Sequence, residues 1–299
     1  MIAVQVVATL SLKGGVGKTT VALGLAGAAQ QHGVRTLVVD LDPQANATLA
    51  LDVGPTTATV AEVLEDPRRS VLRRAITPSG WGENLDVLVG AEQAERHNHP
   101  DPGAKALSRL GRALRKLAEP GERTGDDDGA RDDPSHIDDL GLDDRPYRLV
   151  IVDCPPSLGQ LTRSALAAAD RAVLVTDPTM FAVSGVQRAF DAVQTERLRG
   201  NPDLQPLGVL INRVRPRNTE HEFRIAELRE LFGPLVLSGV LPDRSAIQQA
   251  QGACLPIQSW DTPGAREVSA VFTTLLGRVL RSERTRRPRA ETTAPPSTR

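Results

Sequence analysis

Cysteine, histidine and long apolar runs are all scarce in this chain of 299 residues. Two cysteines cannot form the disulfide framework of a small secreted protein, and their number fits a reducing cytoplasm. No stretch reaches about 18 uninterrupted apolar residues, and no basic region precedes the apolar N-terminal run, so we expect neither a membrane span nor a signal peptide. The spacing of His97, His99, His136 and His221 does not match a metal site, and we expect them at the surface.

Net charge is almost absent as well, because the formal value is −1 at pH 7. A value so close to zero neither favours nor excludes a polyanionic partner, and evidence for one has to come from local clusters. The length exceeds that of a usual single domain, although doubly wound α/β domains often run this long. We therefore expect one domain over residues 1–281, which includes an insertion at 119–146, followed by a tail at 282–299.

Glycine, by contrast, is concentrated near the N-terminus in "SLKGGVGKTT", residues 11–20. A β-branched and apolar stretch precedes it, and a helical pattern that ends at Gly33 follows it, so the segment reads as strand, glycine loop and helix. This arrangement directs backbone N–H groups and a helix N-terminus at one anion. Lys18 and Thr19 complete a phosphate-binding loop, in which Lys18 contacts the β/γ-phosphates and the Thr19 hydroxyl binds Mg²⁺. Lys13 is one lysine more than this motif needs.

Strand-like and helix-like segments alternate along the rest of the chain. This alternation predicts an α/β fold with a doubly wound, mainly parallel sheet and helices on both faces, as in P-loop NTPases. Strands are expected at 2–12, 34–42, 84–90, 148–154, 171–177, 207–213 and 236–242, and helices at 104–118, 160–169, 184–198 and 219–232. Ligands of such sheets bind beyond the carboxyl ends of the strands.

Carboxylates follow two of these predicted strands. Asp40 and Asp42 end the strand in "VVDLDPQANAT", and Asp153 ends the strand in "LVIVDCPPSLG". A carboxylate in such a place costs desolvation unless a cation or hydrogen bonds compensate for it. Asp153 has the form of a Walker B aspartate, which holds Mg²⁺, usually through a water. Any one of these acids could instead cap a helix or a turn, but three converging on one phosphate loop favour a functional site.

The motifs "KGGVGKTT", "DLDPQANAT" and "DCPPS" together resemble the deviant Walker A, A′ and B motifs of ParA-type partition ATPases, which are related to MinD-type positioning ATPases. The likeness spans most of residues 2–280. It implies that the cofactors are ATP and Mg²⁺. It also implies that Lys13 reaches across a two-fold interface to the ATP of the opposite subunit, so that ATP becomes a dimerisation ligand.

The resemblance implies further roles for individual residues. Asp42 would orient or activate the attacking water, and Asp42, Asp153 and Thr19 would surround the metal. Asn212 and Pro242 match positions that touch adenine in relatives, and no guanine signature is found. The nucleotide site predicted in this way consists of Lys13, Gly14, Gly15, Val16, Gly17, Lys18, Thr19, Thr20, Asn212, Pro242 and Arg244, and the catalytic residues would be Lys13, Lys18, Asp42 and Asp153.

A DNA-binding surface is less well marked. Many partition ATPases read "IPRNVRLSEA" where this chain reads "LPDRSAIQQA" (241–250), so that Ala246 lies where an arginine often contacts DNA. Arginines crowd nearby instead, and the tentative DNA-binding residues are Arg213, Arg215, Arg217 and Arg244. A solvated loop explains the 213–217 cluster equally well.

Two charged segments lie outside the predicted core. Residues 122–145 hold ten acids and three arginines, with Gly and Pro throughout, and we interpret 119–146 as a disordered acidic insertion; a DNA mimic or a docking loop is the alternative. Near the C-terminus, apolar residues at 271–280 share one helical face, and seven arginines stand against two glutamates from 278 onward. A basic amphipathic helix could lie on a membrane, but packing of a last helix on the sheet is favoured.

The resemblance implies an ATPase with slow hydrolysis that a partner stimulates. The protein would dimerise with ATP, bind non-specific DNA as a dimer and be reset by a DNA-bound ParB-like centromere-binding partner. We expect it in the cytoplasm, associated with the nucleoid, and we consider a membrane partner less favoured. The alternatives are a MinD-like membrane-surface positioning ATPase and a P-loop metabolic phosphotransferase or ligase, for which no second cluster of substrate-binding candidates is found.

Overall fold

The computed structural model describes residues 4–118 and 145–282. Its strands are β1 (Gln5–Leu10), β2 (Thr36–Asp40), β3 (Ile76–Pro78), β4 (Leu85–Leu88), β5 (Leu149–Asp153), β6 (Arg171–Thr176), β7 (Gln205–Val214) and β8 (Val236–Pro242). Its α-helices are α1 (Lys18–Gln31), α2 (Asn46–Ala50), α3 (Val60–Glu65), α4 (Arg69–Ala75), α5 (Ala104–Ala118), α6 (Gln160–Ala168), α7 (Ala182–Arg199), α8 (Thr219–Phe232), α9 (Ser245–Gly252) and α10 (Pro263–Ser282).

The described strands form one eight-stranded sheet in the order β3-β4-β2-β5-β1-β6-β7-β8. All neighbours pair in parallel except β3 and β4. Strand β1 lies in the middle, between β5 and β6, and α1 links it to β2 on the far side of β5. The predicted doubly wound, mainly parallel fold is therefore confirmed.

Side chains from β1 alternate between two apolar cores, one on each face of the sheet. Val6, Ala8 and Leu10 belong to the core that α3 to α8 cover, whereas Val7 belongs to the core under α1, α9 and α10. A strand that is buried on both faces has no polar side to keep in water, which is why β1 is largely apolar and shows no alternation of polar and apolar residues.

The strand predictions hold in position but are one or two residues too long at several ends, whereas β7 begins two residues before and ends one residue beyond its predicted range. No element is predicted between the strands at 34–42 and 84–90, and this region holds α2, α3, α4 and the antiparallel edge strand β3. These elements span three to seven residues each, which is too short to show a helical or strand period. Acid-rich residues 119–144 and the tail from 283 onward lie outside the described residues.

Helix α10 carries the apolar face predicted at 271–280, and this face packs on the sheet. Phe272, Leu275, Leu276 and Val279 are buried in the same core as α1. The packing interpretation is therefore confirmed for this face. In the described parts of the chain, no helix is both long and apolar enough to cross a membrane.

Candidate nucleotide-binding site

The predicted catalytic and metal-binding residues lie at the carboxyl ends of three neighbouring strands, β2, β5 and β1, and at the start of α1. Asp40 on β2 stands opposite Asp153 on β5, and Asp153 stands opposite Thr9 on β1. The glycine loop follows β1 directly and leads into α1, which begins at Lys18. The topology thus brings residues that lie more than a hundred positions apart in sequence to one edge of the sheet.

The glycine loop is held in shape from below by Asn212 on β7. The Asn212 side-chain amide donates a hydrogen bond of 2.8 Å to the Val16 carbonyl. Gly17 has a φ of +92°, which L side chains rarely adopt, and a Cβ at this position would stand 2.2 Å from the Asn212 Nδ2 atom. Only glycine therefore fits at position 17 with Asn212 in place.

Lys18 and Asp153 form the buried floor of the site. Lys18 is 6% exposed and Asp153 is fully buried. Burial and the nearby Asp40 raise the pKa of Asp153 to about 8, against a hydrogen bond from Thr19 and the charge of Lys18, which lower it. The Asp153 Oδ2 atom is buried and accepts no hydrogen bond from the described residues. A buried carboxylate oxygen in that state suits a bound cation or its water.

Asp40 is used within the fold of its own segment. Its Oδ2 atom accepts hydrogen bonds from the Thr48 backbone N–H at 2.8 Å and from the Thr48 hydroxyl at 2.9 Å, and its Oδ1 atom accepts one from the Asp42 N–H at 3.2 Å. Burial raises the pKa of Asp40 to about 6 although these bonds lower it. Both carboxylate oxygens are used to fold the loop after β2, so Asp40 supports the site from within.

The loop that Asp40 folds carries Asp42 toward the phosphate loop. Asp42 is 8% exposed and accepts a hydrogen bond of 3.0 Å from the Gln44 N–H. Its charge contributes to the raised pKa of Asp153, so Asp42 lies near that carboxyl group. Asp42 and Asp153 are therefore brought together as the sequence predicts.

The residues at this edge fit a Mg²⁺-bound nucleoside triphosphate. Among residues 4–118 and 145–282, no group of three or more His, Cys, Asp and Glu side chains is arranged to hold a metal alone. Mg²⁺ in nucleotide sites takes one or two carboxylates together with phosphate oxygens and waters, which is what Asp42, Asp153 and the Thr19 hydroxyl can complete. The phosphates would lie against the loop backbone at 14–20 and the N-terminus of α1.

Lys13 lies on this loop but is bound within its own chain. Its Nζ atom stands 2.7 Å and 3.0 Å from the two carboxylate oxygens of Asp177 and 2.8 Å from the Thr179 hydroxyl. Neither partner is among the residues predicted from the sequence, although Asp177 directly follows the apolar strand β6, much as Asp153 ends β5. The position of Asp177 after an apolar strand is visible in the sequence. That Asp177 lies near Lys13 follows only from the pairing of β1 with β6.

The remaining predicted nucleotide contacts lie farther along the same edge. Asn212 is 2% exposed, and its Oδ1 atom is buried without a hydrogen-bond donor among the described residues. An unpaired buried acceptor beside the loop can accept a hydrogen bond from an N–H group of a bound base. Pro242 ends β8 and pairs with Val214, and the Thr20 hydroxyl contacts the Gln251 side chain at 3.2 Å.

The candidate DNA-binding arginines lie near the end of β7, in the loop between β7 and α8, and directly before α9. Arg213 and Arg217 have φ values of +58° each, and Arg215 pairs with Asp243 at 2.8 Å while staying 69% exposed. Arg244 precedes α9 and pairs with Glu267 on α10 at 2.7 Å. This ion pair directs the Arg244 side chain toward α10. Nucleotide binding and DNA binding by Arg244 stay predictions.

Comparison with known proteins is consistent with this geometry. Residues 7–257 match the family model described as CobQ/CobB/MinD/ParA nucleotide binding domain. The chain is 31% identical to the chromosome-partitioning ATPase Soj of Thermus thermophilus over 92% of this chain and 97% of that protein. It is 30% identical to the chromosome partitioning protein ParA of Caulobacter vibrioides, with 96% and 97% covered.

This chain also resembles a solved structure, with a lower sequence identity but a similar fold. The crystal structure of cobyrinic acid a,c-diamide synthase from Mycobacterium smegmatis with bound ADP and magnesium has a TM-score of 0.70 to this chain. The sequences are 24% identical, and the match covers 95% of this chain and 96% of that one. At this identity the likeness shows the fold alone.

Proposed function

Because the chain belongs to the CobQ/CobB/MinD/ParA family of nucleotide-binding domains, we propose that it is an ATPase that dimerises with ATP and moves or positions DNA. The observation that carries the proposal is the presence of two lysines on one phosphate loop. Lys18 is buried beside Asp153, whereas the Lys13 side chain is 30% exposed and points away from that floor to Asp177. One lysine serves its own site, and the other is free to serve a second subunit once its internal pair opens.

Apolar side chains around the loop support a second copy of this chain as the partner. Leu158 follows β5 and is 42% exposed, and Met180 and Phe181 follow β6 and are 70% and 62% exposed. Strands β5 and β6 flank β1, so the connections that carry these three side chains follow the strands on either side of the one that leads into the phosphate loop. Exposed apolar groups gathered at one place mark an interaction surface.

Hydrolysis in the proposed dimer needs positioning more than covalent chemistry. Mg²⁺, when bound, would neutralise negative charge on the β- and γ-phosphates. Asp42 would orient the attacking water, Asp153 and Thr19 would hold the metal, and Lys18 together with the partner's lysine would stabilise the charge that develops on the phosphates. Each buried triphosphate needs this second lysine because a face-to-face dimer removes the phosphates from solvent.

DNA is proposed as the polyanion that the dimer holds, through the arginines at 213–217. One subunit presents a small cluster, and a two-fold dimer doubles the phosphate contacts on a single face. The similarity to chromosome-partitioning proteins supports this choice, as does the burial of the apolar face of α10, which leaves that face unavailable to a membrane. Stimulation by a DNA-bound partner and association with the nucleoid belong to the same proposal.

Sedimentation with a non-hydrolysable ATP analogue and Mg²⁺ tests the dimer. We expect wild-type protein to sediment as a dimer with the analogue and as a monomer with ADP, and Lys13→Ala to stay monomeric under both conditions. An unchanged dimer fraction in Lys13→Ala would refute the role of this lysine.

A salt titration tests the DNA part of the proposal. Binding to duplexes of unrelated sequence should require the analogue and fall steeply as salt rises, because it rests on counterion release. Reversal of charge at Arg215 and Arg217 should weaken binding equally for all sequences. Binding to anionic vesicles with no binding to DNA would contradict the proposal in favour of a membrane-surface role.

A further inference from the structure

Lys13 contacts the loop after β6 in a way that the proposed function does not explain. The Lys13 ammonium has three N–H donors, and the structure supplies three acceptors in Asp177 Oδ1, Asp177 Oδ2 and Thr179 Oγ1. The Thr179 hydroxyl in turn stands 3.1 Å from Asp177 Oδ1, to which it donates. All donors of Lys13 are thus used inside one subunit.

The surroundings make this contact an organised one. The Asp177 side chain is 14% exposed, which is drier than a surface ion pair. Asp177 directly follows β6, and Lys13 is three residues beyond the end of β1, which pairs with β6. The neighbouring strands hold both ends of the contact, so its geometry does not depend on flexible side chains alone.

We propose that Asp177 and Thr179 are positioning residues that lock Lys13 in cis and thereby oppose dimerisation until ATP is bound. This inference rests on the proposed function, since it assumes that Lys13 acts in trans. A lysine with three satisfied donors has none to offer to the phosphate of another subunit. The exchange of Asp177 for phosphate oxygens is favourable only when the opposite subunit presents the negative charge of a triphosphate, so the lock makes the dimer depend on the nucleotide.

The lock also links Lys13 to the apolar surface around the loop. Met180 and Phe181 come directly after Thr179 in the same connection between β6 and α7. When Lys13 leaves, Thr179 loses a hydrogen-bond donor at the position next to these exposed side chains. A partner that packs on Met180 and Phe181 therefore contacts the same connection between β6 and α7 that holds Lys13.

The first test measures the lock without ATP. Acetic anhydride labels free amines, and mass spectrometry compares Lys13 with the exposed Lys105 as an internal reference in the full-length protein. Asp177→Asn, which keeps the shape and removes the charge, should raise the relative labelling rate of Lys13 by at least about threefold, in line with the loss of a partly exposed ion pair. An unchanged rate would overturn the lock.

The second test measures dimerisation. With the ATP analogue, Asp177→Asn should lower the protein concentration at half-dimerisation by roughly 3- to 20-fold, because two locks open in each dimer. Thr179→Val, which removes one acceptor without changing charge, should shift it in the same direction by less, and Thr179→Ser should leave it unchanged. A purely structural role for these residues would weaken the dimer instead.

The outcomes separate the two proposals. Faster labelling with a stronger dimer supports the lock, and faster labelling with an unchanged or weaker dimer overturns its opposition to dimerisation. If Thr179→Val leaves the protein concentration at half-dimerisation unchanged, Asp177 acts through its charge on the nucleotide. That result would overturn the three-acceptor lock. If wild-type protein does not dimerise with the analogue at all, the proposed function fails, while the labelling result still decides whether Lys13 is held.

Discussion

Replacement of Gly17 by alanine tests whether Asn212 and the glycine loop depend on each other. The new Cβ would face the Asn212 Nδ2 atom at 2.2 Å, and the backbone φ of +92° would be strained for alanine. A left-handed conformation costs about 1–2 kcal/mol for a residue with a side chain. Displacement of Asn212 breaks its bond to the buried Val16 carbonyl, which adds about 1–3 kcal/mol. We therefore expect Gly17→Ala to destabilise the nucleotide-free protein by about 2–5 kcal/mol.

Two neighbouring glycines provide matched controls for this substitution. Gly15 has a φ of +75° but open space around a new Cβ, so Gly15→Ala should cost only the strain of about 1–2 kcal/mol. Gly14 has neither a positive φ nor a neighbour within 4 Å, so Gly14→Ala should stay within about 0.5 kcal/mol of wild type.

Thermal or urea unfolding followed by circular dichroism measures the series without nucleotide. For a domain of this size, each kcal/mol shifts Tm by about 2–4 °C, so the expected differences are resolvable. Equal stability of Gly17→Ala and Gly15→Ala would refute the reasoning, because it would show that Asn212 yields at no cost.

Two further predictions concern catalysis and the core. Asp42→Ala should bind the ATP analogue and dimerise, since it removes a water-orienting group, but turnover should fall at least about tenfold, or about 1.4 kcal/mol of barrier; wild-type turnover would place the role elsewhere. Phe272→Ala should lower the free energy of unfolding in urea by about 3–5 kcal/mol, because this side chain packs against α1 and is only 1% exposed. As a control, Leu198→Ala at an 89% exposed position should change the free energy of unfolding by less than about 0.5 kcal/mol. Similar values for both variants would mean that α10 is not part of the core.

The long elements of the fold could be predicted from the sequence because their patterns are long. Helix α5 (Ala104–Ala118) and helix α8 (Thr219–Phe232) have the bounds that their apolar spacing predicts. Strand β3 (Ile76–Pro78) could not be predicted, because it has three residues, ends on a proline and exists only by pairing with β4. Its stability comes from the partner strand, which a local pattern does not contain.

The positions of Asp42 and Asp153 at or just beyond strand ends, and of Lys18 at the start of α1, could be predicted from their motifs. Asp40 shows the limit, since its role is decided by Thr48 and by the close approach of Gly90, where a Cβ would stand 2.7 Å from the Asp40 carboxyl carbon. The lock on Lys13 has the same cause, because its partners lie 164 and 166 positions away. Contacts of this kind depend on which strands become neighbours, and the local sequence does not carry that information.

The most direct test of the central claim, that Lys13 acts on the nucleotide of the other subunit, is an ATPase assay on a mixture of two inactive variants. Lys13→Ala subunits keep Asp42, and Asp42→Ala subunits keep Lys13, so a mixed dimer contains one site with both groups. We expect the mixture to hydrolyse ATP faster than the sum of the separate variants, with sedimentation confirming the mixed dimer. A mixed dimer that forms but hydrolyses no faster than that sum would contradict the account.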